Sequence, residues 1–223
     1  KDAARRLAAG ALRDGYKAQA LHEYRDAAGQ PVLWRIRCKH PDTGDKWLRP
    51  MHWSGTGYAI GEPPAPPEGK HLYHLPELLA ADPAALVWIV EGEWCTDYLH
   101  KLGLIVTTSG SAASAAGADW TTLRGRHCLL WPDNDEPGSK YVDEVAAILC
   151  GLGCTVEIID VAALGVPHLP LADVNSAAAL QALAALEADL FVIAGYSSIF
   201  REPVLALPRL GVINLHAGRL PQY

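Results

Sequence analysis

The chain has no long apolar run: none approaches the roughly 18 to 20 residues that a membrane-spanning helix needs, which excludes a helical span. No charged stretch followed by an apolar segment and a cleavage site opens it, so no secretory leader is read there. Cysteine is scarce. The five (Cys38, Cys95, Cys128, Cys150 and Cys154) are odd in number and form no CxxC pair. Cys95 and Cys128 fall in or beside apolar segments, which excludes a disulfide framework and implies reduced thiols in the cytoplasm. Cys38-Lys39-His40 and the Cys150 to Cys154 spacing are weak zinc signals. The chain also lacks an initial Met and stops at Leu220-Pro221-Gln222-Tyr223 with no closing element, so a fragment of a longer reading frame is expected.

What is present is an ordinary globular composition: 223 residues, half of them hydrophobic and a fifth charged. The net charge of −6 is unevenly spread. Residues 1–61 carry 11 Lys or Arg against 6 Asp or Glu, giving +5, and the other 162 carry 8 against 19, giving −11. A basic N-terminal section can attract phosphate where an acidic body cannot.

Apolar periodicity predicts a helix over residues 1–21, from Ala8, Leu12, Ala18 and Leu21. Two strands around Ala27-Ala28-Gly29 follow, then a strand from Lys46 to Pro50 and a stiff Pro-rich linker from Gly61 to Gly69. From Leu86 the pattern alternates. Strands are expected at Leu86–Val90, Leu104–Thr107, Cys128–Trp131 and Cys154–Ile159, with helices near Glu93–Leu102 and Gly138–Cys150. Such alternation implies right-handed βαβ units and a mainly parallel sheet. The tail repeats it, with helices at Ala177–Leu186 and Pro203–Leu207 and strands at Leu190–Ala194 and Gly211–Leu215. The fold class read from this is α/β.

Two apolar strands run into acid, at Glu91-Gly92-Glu93 and at Pro132-Asp133-Asn134-Asp135-Glu136-Pro137-Gly138. Ligands gather at the carboxyl ends of parallel strands. Converging carboxylates raise one another's pKa unless a hard cation such as magnesium or manganese relieves them. The second run is equally a turn that starts a helix, with Asp135 or Glu136 facing the helix dipole. Lys140 is open either to a phosphate or to solvent.

Val90-Glu91-Gly92-Glu93 with Asp133-Asn134-Asp135-Glu136-Pro137-Gly138 resembles the TOPRIM signature, in the wording found in primases and primase-helicases of phages and plasmids. Thr107-Thr108-Ser109-Gly110-Ser111-Ala112, the Tyr24-Arg25-Asp26 hairpin and His71–Leu78 are also similar to those proteins. The resemblance covers about residues 22–161. It implies a TOPRIM-type mainly parallel sheet over 70–161, preceded by a β-rich lead-in and Pro-rich linker over 1–69. It implies Glu91 as general acid or base, and Glu91, Asp133 and Asp135 around Mg2+ or Mn2+, with Glu93 assisting. The activity implied is nucleotidyl transfer or phosphodiester chemistry on DNA in a primase-like replication protein, or a nucleic-acid-binding module inactive alone. Single-stranded DNA, nucleotides and a replicative helicase are the implied partners. No zinc ribbon precedes this region and no Walker A loop follows it.

The tail differs. Asp173-Val174-Asn175-Ser176, Asp189–Tyr196 and Ile213-Asn214-Leu215-His216-Ala217-Gly218-Arg219-Leu220-Pro221 resemble folate-dependent formyltransferases. Residues 162–223 are then a partial, Rossmann-like α/β segment. The resemblance implies 10-formyltetrahydrofolate as donor, Asn214 stabilising the tetrahedral oxyanion and His216 transferring a proton. The family's catalytic Asp is expected beyond Tyr223. A natural fusion or an artificial joint near residues 161–166 accounts for two half-motifs in one chain.

Overall fold

The computed structural model describes residues 1–133, 136–160, 169, 171, 173–194 and 200–215. The chain divides into two compact units, Lys1–Ile159 and Asp160–Tyr223. Among the described residues no helix is long and apolar enough to cross a membrane.

The first unit opens with two short helices, α1 (Asp2–Leu7) and α2 (Ala9–Arg13), and not with one helix to residue 21. Gly15, at φ +93°, turns the chain beside His40. That positive φ suits glycine. Ala18 and Leu21 therefore fall in a strand despite their helical spacing. The strands β1 (Lys17–Arg25), β2 (Pro31–Lys39), β3 (Lys46–Trp53) and β4 (Tyr58–Ile60) form an antiparallel sheet in chain order. The Asp26 carboxylate accepts from the Ala28 and Gln30 amides and fixes the β1–β2 turn, with Gly29 at φ +77°. One face of this sheet packs Ile36, Cys38 and Met51 against Ala4 of α1 and Ala8 at the junction of the two helices. From the other face Tyr24 and Leu33 meet Tyr73.

Helix α3 (Leu75–Ala80) leads into the second sheet, with strands β5 (Val87–Val90), β6 (Val106–Thr107), β7 (His127–Trp131) and β8 (Thr155–Ile158). Its order is β6-β5-β7-β8, all parallel. Helix α4 (Glu93–Lys101) follows β5, and α5 (Glu136–Gly151) connects β7 to β8. One face of these runs is fully buried: Val87, Ile89, Cys128 and Leu130 pack with Tyr141, Val142, Val145 and Leu149 of α5, whereas Trp88 and Leu129 are half-buried and Trp131 is exposed. Arg126, buried, donates to the carbonyls of Leu78 and Asp82. It thereby satisfies acceptors left over at the end of α3, where a cation also suits the helix dipole.

The second unit holds α6 (Ala177–Ala184), β9 (Phe191–Ala194), α7 (Glu202–Leu205) and β10 (Val212–Leu215). Ser176 caps α6, its hydroxyl accepting from the Ala179 amide at 3.2 Å. Strands β9 and β10 are parallel, Val212 opposite Phe191 and Asn214 opposite Ile193. The mixed α/β class thus holds, with one antiparallel sheet, one four-stranded parallel sheet and one parallel pair.

Gly138 in the first turns of α5 is buried, and a Cβ there would sit 2.5 Å from the Asp133 carbonyl oxygen. Gly138→Ala is expected to cost about 1–3 kcal/mol, as overpacking against backbone does, read as a lower urea midpoint at unchanged slope. An unchanged midpoint would show that this turn yields freely.

Candidate functional site

The carboxyl end of β5 places Glu91, then Gly92 at φ +78°, then α4. The Gly92 amide donates to Thr108 Oγ1 at 3.2 Å, and the Gly110 amide reaches the same hydroxyl at 3.1 Å. The loops after β5 and β6 are thereby tied together. Asp133 follows β7 at the same edge. Asp135 lies outside the described residues. Among those described, no group of three His, Cys, Asp or Glu side chains could hold a metal ion, and nothing supports magnesium here.

The most deeply buried acid is Glu93, expected to assist at a metal, and the structure surrounds it with residues that the sequence reading left without a site role. Glu93, on the inward face of α4, is 2% exposed. Its Oε1 accepts from Tyr24 Oη at 2.7 Å, and Arg35 Nε lies 2.9 Å from the same oxygen as an ion pair. Gly110 makes room: a Cβ there would meet Tyr24 Oη at 2.9 Å and Arg35 Nη2 at 3.2 Å. One turn along α4, Asp97 accepts from His22 Nδ1 at 2.8 Å and Tyr73 Oη at 2.8 Å, with His74 Nε2 at 3.2 Å. His74 holds φ +60°, an unusual value outside glycine that turns the chain into α3.

The electrostatics follow from burial and from these partners. Burial drives the Tyr24 and Tyr73 hydroxyls well above the ordinary tyrosine range, helped by Glu93 and Asp97 respectively. Burial would also raise Asp97, but the hydrogen bonds from His22, His74 and Tyr73 outweigh it and hold the carboxyl well below the carboxylate range. Buried charges persist when paired and hydrogen-bonded in this way. The arrangement joins the antiparallel sheet to α4 and keeps its acids occupied. A signal for it was present: Glu93 and Asp97 are one helical turn apart, and like charges at that spacing repel unless something compensates them. Lys140 pairs with Glu136 at 2.6 Å on the exposed face of α5, so it reads as a solvated helix lysine.

In the second unit, Asn214 is the next-to-last residue of β10, at the carboxyl edge of the parallel pair. His216 lies outside the described residues. The Asn175 side-chain oxygen accepts from the Arg201 amide at 2.7 Å, linking the start of α6 to that of α7. Leu210 donates to the Asp189 carbonyl at 2.7 Å and Arg209 pairs with the Asp189 carboxylate, which closes the β9–α7–β10 crossover.

Residues 168–223 match the family model described as formyl transferase. Among curated proteins, the chain is similar to methionyl-tRNA formyltransferases. That of Roseiflexus sp. (strain RS-1) is 47% identical over 60 residues, 27% of this chain and 18% of the relative. That of Chlamydia pneumoniae is 41% identical over 59 residues, 26% and 18%. That of Cyanothece sp. (strain PCC 7425 / ATCC 29141) is 51% identical over 49 residues, 22% and 15%. The chain thus spans less than a fifth of the length of these relatives. No solved structure matches it.

These matches correct the functional expectation. The reading of the chain as a primase-like nucleotidyltransferase of DNA replication is overturned by the formyl transferase match and by relatives named methionyl-tRNA formyltransferase. Nothing marks the parallel sheet as TOPRIM. The physical reason is plain in Glu93 and in the turn after β7: acids at a strand edge also serve as helix starts and as partners for buried cations.

The seam gives a pH test. Asp97→Asn, at a half-buried carboxylate, is expected to lower stability at neutral pH by about 1–2 kcal/mol through weakened charged hydrogen bonds. Its native pKa is depressed, so the carboxylate's contribution is complete above the unfolded value of about 3.9 and is lost as pH falls through the native value. Denaturant titrations of both proteins from about pH 7 to pH 2 should show the gap narrow towards the acid end. A gap independent of pH would mean that the carboxylate charge plays no part. Removing one partner from the buried pair, by Glu93→Ala, should cost about 3–5 kcal/mol in the same assay.

Proposed function

We propose that the second unit takes part in formyl transfer from a folate-type donor to an amine, with an aminoacyl-tRNA such as the relatives' methionyl-tRNA as acceptor class. The observation that carries this is the position of Asn214 at the carboxyl edge of a parallel strand pair, inside the stretch that matches the formyl transferase family. Ligands of open α/β sheets bind at that edge. In the transfer, the acceptor nitrogen attacks the formyl carbon and the bond from that carbon to the donor nitrogen breaks. The acceptor loses a proton and the departing folate nitrogen gains one. The side-chain amide of Asn214 would donate to the oxygen of the tetrahedral intermediate, where one such donor is worth about 100- to 1000-fold in rate. His216, two residues on, would carry the proton, a role worth about 100- to 10,000-fold.

The test is formyl transfer from 10-formyltetrahydrofolate to methionyl-tRNA by the full chain, beside its His216→Ala and Asn214→Ala variants. Donor turnover that falls by about 100-fold or more in each variant supports the assignment. Thermal stabilisation of the parent by the formyl-folate should accompany it. Neither turnover nor stabilisation in the parent would remove the proposal.

A further inference from the structure

A cavity of about 360 Å³ in the first unit lies between the β1–β2 hairpin and the Pro-rich run after Gly61, and no role so far described uses it. Its walls are mostly apolar. Tyr24 and Leu33 come from the sheet, Pro63 to Pro66 from the run, and Trp53, 55% exposed, from the rim. One end is charged. There Glu62 faces Arg35, with Oε1 3.4 Å from Arg35 Nη2, and its other oxygen pairs with Lys70. The Nε side of Arg35 is committed to buried Glu93, which aims the rest of the guanidinium into the cavity.

Size and lining are those of a small-ligand site, with apolar walls and a few convergent polar groups. The charged end is asymmetric in a telling way. Arg35 is anchored in the sheet and held by a buried acid, whereas Glu62 sits on the run that covers the cavity and meets Arg35 at the long limit of a hydrogen bond. Glu62 thus occupies an anion position that another anion can take, leaving its own carboxylate to water. The geometry points to this cavity as a binding site for a flat aromatic molecule bearing one anionic group. The anion replaces Glu62 between Arg35 and Lys70, and the ring lies among Tyr24, Leu33 and Trp53. Arg suits this role because its planar fork matches an oxyanion and its face tolerates aromatic neighbours.

Two fluorescent probes with the same aromatic body separate the contributions: 8-anilino-1-naphthalenesulfonate, an anion, and N-phenyl-1-naphthylamine, its uncharged counterpart. Titrated into the full chain, the sulfonate should bind one saturable site and more tightly than the amine. Glu62→Gln removes the competing carboxylate and should tighten the sulfonate roughly two- to five-fold, with Lys70→Ala weakening it by a similar factor and neither moving the amine. Trp53→Ala should weaken both probes. Glu62, Lys70 and Trp53 all reach solvent, so these variants keep the fold. Equal binding of the two probes, no binding, or sulfonate binding that ignores both Glu62→Gln and Lys70→Ala would overturn the assignment.

Discussion

The first unit depends on a buried carboxylate. Glu93 is sealed between two sheets, and the isolated charge would be very costly in a medium of low polarity. Arg35 and Tyr24, both from the antiparallel sheet, offset that cost, while α4 supplies the acid from the parallel layer. Neither layer can move without exposing a charge from its partner. Apolar packing of Tyr24 and Leu33 on Tyr73 holds the layers together without direction. The polar seam adds the direction, and it explains why the loop after β6 carries a glycine at 110, where any side chain would collide with the cluster.

Most of the strands were legible in the sequence because short apolar runs between turn residues mark the strands of a parallel sheet, although only one face of them is fully buried. Val87–Val90, His127–Trp131 and Thr155–Ile158 lie within a residue or so of where hydrophobicity alone puts them. The first twenty residues were not legible in this way. Ala and Leu at helical spacing served two short helices and then a strand, because Gly15 turned the chain and β1 had a partner waiting in β2. The seam was only half visible. The spacing of Glu93 and Asp97 could be seen, but Tyr24, Arg35, His22 and His74 are brought to them by tertiary pairing across distances no local pattern encodes.

The acidic turns show how far residue type can mislead. Glu91, Asp133 and the residues after them have the composition of a cation site, and the same composition starts helices. Asp133 has a structural duty of its own, since its carbonyl is the surface against which Gly138 packs. Asn214 is the opposite case. A single asparagine near the end of a short strand carries little by itself, and it gains meaning from the stretch around it, which matches a family as a whole.

The seam also bears on how the first unit assembles. Tyr24 and Glu93 are 69 residues apart in the chain, and His22 and Asp97 are 75 apart. The hairpin of β1 and β2, by contrast, closes over a turn of a few residues. Closing the long loop costs chain entropy before any contact repays it. The hairpin can therefore form early as a local structure, whereas the buried ion pair can appear only when both layers are in place. Until then Glu93 and Arg35 remain in water at no cost, so sealing the pair and joining the two layers are one event.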